Sequence, residues 1–186
     1  MSRMFAACQR FDQRNGDSWS RFIEWTGFQH IREIVSIDTM LCPSLIDELA
    51  DEDWQYNIHA DYRTSFFRDA KYLRRRIDYD CFRHNILALT EEPTSFVEPP
   101  NGFAFRGYDI LDSYDSISVL TNCGAFPSIY SVEDINEYAL VSDLDRVTEI
   151  ASAIRKPHWD DHRRQECRVW GIARYVDVPT MYETIR

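Results

Sequence analysis

The sequence predicts an α+β fold: a mainly antiparallel sheet covered by amphipathic helices, in a single domain over residues 1–186. Three observations lead there. Helix-spaced apolar stripes come early in the chain, β-prone runs crowd the part after residue 84, and one clear helix separates those runs from a last long strand. At 186 residues, 44% hydrophobic and 14% aromatic, the chain has apolar material for one packed core and too much for a disordered state.

The elements follow in order. DSWSRFIEWTGF, 17–28, spaces Trp19, Phe22 and Ile23 for a short helix, with Ser18 or Ser20 to cap it, and IREIVSID, 31–38, reads as a strand. Pro43 opens a helix through SLIDELADEDW, with Leu45, Ile46, Leu49 and Ala50 on one face and acids on the other. Residues 61–77 place Tyr62, Phe66, Ala70, Leu73 and Ile77 at steps of four and three among Arg63, Arg68, Lys71 and Arg75. This is a basic amphipathic helix whose aromatic stripe is expected to dock on the core.

Beyond residue 84, NILALT (85–90), FAFRGYDIL (103–111) and ISVLT (117–121) read as strands, with SFVE as a possible short one. PPNG at 99–102 supplies a turn. SVEDIN, 131–136, reads as a helical turn. SDLDRVTEIASAI, 142–154, is the clearest helix: Ser142 caps it, Asp143 and Asp145 sit at its positive end, and Leu144, Val147, Ile150, Ala151 and Ile154 form its stripe. ECRVWGIARYV, 166–176, closes the chain's β portion, with Cys167, Val169, Gly171, Ala173 and Tyr175 on one face. There is no repeat and no low-complexity linker.

Charge narrows the function. The net charge is −10, and residues 85–154 alone hold 12 acids against 2 bases, whereas residues 61–84 hold 4 acids against 7 bases. Sustained negative charge repels phosphate backbones and attracts basic surfaces, so nucleic-acid binding is disfavoured and a basic protein partner is expected. Nineteen of the 21 basic residues are arginine, a side chain suited to bidentate carboxylate pairing. No run of about 18 apolar residues is present, and MSRMFAACQRFDQRNGD meets charge too early for a signal peptide, so no membrane contact and a cytoplasmic location are expected. Five scattered cysteines (Cys8, Cys42, Cys81, Cys123, Cys167) without a C-x-x-C pair argue against a disulfide scaffold.

Three constellations can carry chemistry. In SVLTNCGAFPS, Cys123 precedes Gly124 on a turn, as a nucleophile would, with a histidine such as His84 as base. The acids around it disfavour a thiolate, and a small buried residue at a strand end is the simpler reading. In PHWDDHRRQEC, His158 and His162 lie one helical turn apart, with Asp161 or Cys167 as further ligands for a metal. The H-E-x-x-H glutamate is missing, and Arg163 and Arg164 add unfavourable positive charge. In GYDILDSYDSIS, Asp109, Asp112 and Asp115 stand at steps of three, which is not an EF-hand spacing, and read as an acidic rim for binding a partner. No Walker loop, G-x-G-x-x-G or G-x-S-x-G is present, and no cofactor is expected.

The expected function is therefore a non-enzymatic binding or inhibitor protein, of the kind that neutralises a basic nuclease or toxin, with Asp109, Asp112 and Asp115 as binding residues. The alternative is a hydrolase using a Cys123 nucleophile or a His158/His162 metal site.

Overall fold

The computed structural model describes residues 3–43, 66–77, 83–112, 116–121, 129–156 and 166–176. Its centre is a four-stranded antiparallel sheet in the order β1-β4-β6-β5, formed by β1 (Met4–Gln9), β4 (His84–Glu91), β6 (Arg168–Tyr175) and β5 (Phe103–Leu111). A two-stranded ribbon pairs β2 (Phe11–Asp12) with β3 (Glu33–Ile34). Among the described residues three helices accompany them: α1 (Asp17–Thr26), α2 (Ala70–Ile77) and α3 (Leu144–Ile154). The mixed α+β class and the antiparallel pairing expected from the sequence are both present.

The register fixes which side chains share a face. Met4 lies opposite Leu89, Ala6 opposite Leu87, Leu89 opposite Ile172, and Asp109 opposite Trp170, so these residues share one face of the sheet. Ala7 and Ile86 point to the other face, where they meet Phe67 and the fully buried Leu73 of α2. Segment 31–42 crosses the first face. Its Glu33 meets Asn85 and Arg174 at one end, and its Ser36 meets Asp109 further on. α3 packs on β5 and β6 and buries Val147, Ile150, Ala151 and Ile154, the stripe read from its spacing.

Both ends of the sheet order are covered locally. Tyr108 of β5 exchanges backbone hydrogen bonds with Val141 at 2.8 and 2.9 Å, and Phe5 of β1 exchanges them with Phe67, both at 2.8 Å. These pairings use edge groups that would otherwise be left open.

Several local expectations are corrected. β1, whose MFAACQ run is short and follows directly on the N-terminus, has no counterpart in the sequence reading. Of 31–38 only Glu33 and Ile34 form a strand. Of 117–121 only Ser118 makes an isolated bridge, and SFVE forms no strand. The helix expected from residue 61 is described only as Ala70–Ile77. Phe66 and Phe67 precede it in non-helical backbone, Phe66 stacks on Trp170 at 5.4 Å, and the Lys71 amide is capped by Asp69 at 2.7 Å. Caps also move: α1 follows Gly16 rather than Ser18 or Ser20, and α3 is capped by Asp143, which accepts from the Arg146 amide at 2.7 Å, rather than by Ser142. β6 is buried on both faces: Trp170 and Ile172 are as enclosed as Val169 and Ala173. The helix expected at 44–54 lies outside the described residues.

One irregularity organises the β5 edge. The register slips between Phe105 and Gly107, leaving Arg106 as an extra residue in a β-bulge. Gly107 has φ 141°, and a Cβ there would stand 2.8 Å from both the Leu140 Cβ and the Val141 carbonyl oxygen. Only glycine fits, and its lack of a side chain lets the 136–141 segment lie against the strand.

Candidate functional site: buried and exposed acids

Asp109 and Asp112 do not form an exposed rim. Asp109 is 0% exposed and Asp112 6% exposed, because the last residues of β5 and the residue that follows it are covered by segments 36–42 and 116–121. Asp115 lies outside the described residues. Steps of three suggested one common rim, but in an extended strand alternate residues face opposite ways, and here both faces are covered.

Asp109 sits instead in a buried hydroxyl-carboxylate cluster. The Ser118 hydroxyl donates to Asp109 Oδ1 at 2.6 Å, the Ile110 amide donates to the same oxygen at 2.8 Å, and the Ser36 hydroxyl donates to Oδ2. A second carboxylate, Asp38, is 1% exposed and accepts from the amides of Met40 at 2.8 Å, Leu41 at 3.0 Å and Ser118 at 2.9 Å. Ser118 thus donates its side chain to one aspartate and its backbone to the other. Ser36 mirrors it, accepting from the Asp38 amide at 3.0 Å while donating to Asp109. The cluster ties three separate stretches of chain together.

Burial sets the protonation of this pair. Loss of hydration pushes the Asp109 carboxyl up to about 7, against the opposing pull of the hydrogen bonds from Ser118 and Ser36 and with the help of the nearby Asp38 charge. Burial raises Asp38 as well, with Asp112 adding to the effect, although three backbone amides stabilise its charged form. The thiols of Cys8 and Cys42 lie close by, and burial pushes Cys8 up to about 12. No group of three or more His, Cys, Asp or Glu side chains suited to a metal ion occurs among the described residues.

The exposed acids of the 85–154 segment lie elsewhere. Most are matched: Glu91 by Arg168, Glu92 by Arg155, Glu137 by Arg32, and both Asp134 and Glu149 by Arg146. The Arg146 side chain holds the Asp134 carboxyl down at about 2. Among the described residues Glu98, Glu133, Asp143 and Asp145, by contrast, are exposed without an ion-pair partner, the last three at the start of α3 and on the 3-10 turn Val132–Asp134 that precedes it. Asp145 also lines a shallow, open groove along the outer side of α3 with Thr148, Glu149, Ser152, Ala153 and Lys156.

The other sequence candidates separate cleanly. Cys123, Asp161, His158 and His162 lie outside the described residues. His84, considered as a base, opens β4 and is buried; Cys167 is buried before β6, and loss of hydration raises its thiol. No helix among the described residues is long and apolar enough to cross a membrane. The chain matches no family model, no curated protein and no solved structure.

Proposed function

We propose that this chain is a non-enzymatic binding protein, of the inhibitor type that pairs with a basic nuclease or toxin, and that it meets its partner through the exposed acids at the start of α3. The observation that carries the reading is the uncompensated set Glu133, Asp143 and Asp145 in a segment holding 12 acids against 2 bases. Unpaired exposed carboxylates on a −10 chain speed encounter with a basic surface and reject polyanions, which sets nucleic acid and anionic membranes aside as partners. A single α+β domain working in the cytoplasm belongs to the same reading. Asp109 and Asp112 then act through the core that supports this surface, since their carboxylates are covered.

The test is capture of the partner on the immobilised full chain, followed by affinity measurement with the purified pair. The triple variant Glu133→Gln, Asp143→Asn, Asp145→Asn keeps a capping side chain on α3 and removes three charges. The expected result is a basic, stoichiometric partner whose binding weakens about tenfold or more in the triple variant and weakens further as salt rises. Salt-independent binding that the triple variant leaves intact overturns the reading.

A further inference from the structure

We propose that Arg106 and Arg174, gathered on Tyr138 with Arg10 alongside, form a binding site for the phosphate group of a small phosphoester or for free phosphate. The site uses none of the exposed acids of α3 and does not rest on the partner reading.

The first argument is charge. The Glu33 carboxylate accepts from Arg10 Nε at 2.8 Å and Arg10 Nη2 at 3.1 Å, from Asn85 Nδ2 at 2.8 Å and from Arg174 Nη1. Both of its oxygens are therefore engaged by two guanidiniums and an amide. Among the described residues Arg106 reaches no carboxylate. Its cation lies 4.5 Å from the centre of the Tyr138 ring, its Nη1 donates to the Tyr138 hydroxyl at 3.0 Å, and its Nε is buried without a hydrogen-bond partner. Arg174 stands 5.6 Å from the same ring centre. Two guanidiniums thus share one carboxylate and the third has none, an excess of two positive charges among the described residues.

Among the described residues, nearby acids do not make up the difference. Asp12 is held by Arg14, and Glu137 by Arg32. A half-buried guanidinium beside a second cation is costly without a counter-charge, and an anion at its Nη groups supplies one. A dianionic phosphate matches the excess of two, whereas a carboxylate leaves half of it uncancelled. Arg10 and Arg174 keep 22% and 17% of their side chains exposed, so the cluster is open to a small solute.

The second argument is placement. Arg106 is the extra residue of the β5 bulge, a device that re-aims one side chain out of the strand pattern. Its backbone is pinned, since Asn136 Nδ2 donates to the Arg106 carbonyl at 2.8 Å and the bare Gly107 admits Leu140 and Val141 beside it. Tyr138 is pinned too: its amide donates to Asn136 Oδ1 at 2.9 Å, and its carbonyl accepts from the Val35 amide at 3.2 Å. The guanidinium and the ring it lies on are held before any ligand arrives, which lowers the entropy lost on binding.

Titration of the full chain at neutral pH with inorganic phosphate and, separately, with O-phosphoserine tests the proposal, followed by calorimetry and by the Nε–H resonances of the arginines. The expected result is saturable one-to-one binding that moves the Arg106 Nε–H signal, with acetate at least about tenfold weaker. Tighter binding of phosphoserine assigns the site to phosphoesters, and tighter binding of phosphate assigns it to the free anion. Arg106→Lys keeps the charge but removes Nε and the planar fork, and weakens binding about tenfold, whereas Arg21→Gln, on the exposed face of α1 and outside the cluster, leaves it unchanged. No saturation by either ligand up to about 20 mM, or a saturable response that leaves the Arg106 signal in place, overturns the proposal even if the lysine variant folds poorly.

Discussion

The Ser118 hydroxyl donates to the carboxylate of Asp109 at 2.6 Å with both side chains sealed from solvent. That bond is one side of a cluster in which Ser36 and Ser118 each bridge Asp109 to Asp38, so the protonation of Asp109 bears on how segments 36–42 and 116–121 are held to β5.

A raised folded-state carboxyl makes its contribution to stability at low pH and loses it as pH rises through the folded value. With Asp109 pushed up to about 7 from an ordinary 3.8, the folded state binds more protons than the unfolded state between those two values, and stability from this group declines across that window. Asp109→Asn removes the titration and keeps the shape. The stability of the wild type minus that of the variant, from denaturant unfolding at pH 4.5 to 8, should fall as pH rises, at up to about 1.4 kcal/mol per pH unit. A difference that is flat with pH contradicts the buried-acid assignment.

Glu33 behaves in the opposite sense. Burial acts to raise its carboxyl, but hydrogen bonds from Arg10 and Asn85 and the charges of Arg174 and Arg10 outweigh it and leave the net shift downward. Its stabilisation is present above the ordinary carboxylate range and is lost as pH falls through its lowered folded value. Glu33→Gln should cost about 3 kcal/mol at pH 7, because Arg10 and Arg174 lose their shared counter-charge while remaining partly buried. A thermal melt within a degree of wild type would show that the network contributes nothing.

Gly107→Ala should be among the most disruptive single-methyl additions in the chain. The new Cβ meets the Leu140 Cβ and the Val141 carbonyl at 2.8 Å, in a backbone conformation that side chains rarely adopt. A loss of about 3 kcal/mol or more is expected. Gly27→Ala is the comparison: its φ is 73° but nothing stands within 4 Å, so only the left-handed penalty of about 1 kcal/mol applies. Equal losses at the two sites would show that the bulge is not tightly packed.

Cys8, Cys42 and Cys167 are free and buried, and burial raises all three thiols, with Cys8 at about 12. Iodoacetamide at pH 7.5 should leave these three unmodified in the native chain and label them after unfolding. Peptide mapping by mass spectrometry reads the outcome. Native labelling of Cys8 at the rate of an exposed thiol would mean that β1 opens readily from β4.

What the sequence determined by itself is local and periodic. The β4 and β5 strands, the α3 stripe of Val147, Ile150, Ala151 and Ile154, and the helix α1 ended by Gly27 are legible because alternation, 3.6-residue spacing and a left-handed glycine act within a few residues. Segments 31–38 and 117–121 have β-prone composition too, yet beyond short pairings with β2 and the end of β5 their backbone groups meet side chains and loops elsewhere in the chain, so most of each remains outside a ladder. β1 is too short to announce itself and is made a strand by its pairing with β4, whose residues lie some eighty positions away.

The sites divide in the same way. The sequence carried the acidity of 85–154 but not which acids face water, because exposure depends on what packs over each strand, and Asp109 went inside while Asp143 and Asp145 stayed out. A bulge at Arg106 leaves only an ambiguous trace, an arginine and a glycine within a strand-like run. Tertiary structure alone brought Arg10, Arg106 and Arg174 to Glu33 and Tyr138, since they come from five separate parts of the chain and meet only when β5, β6 and segment 135–141 are assembled. Short-range sterics can be read along a chain, whereas the pairing of charges across it is decided by which surfaces close on one another.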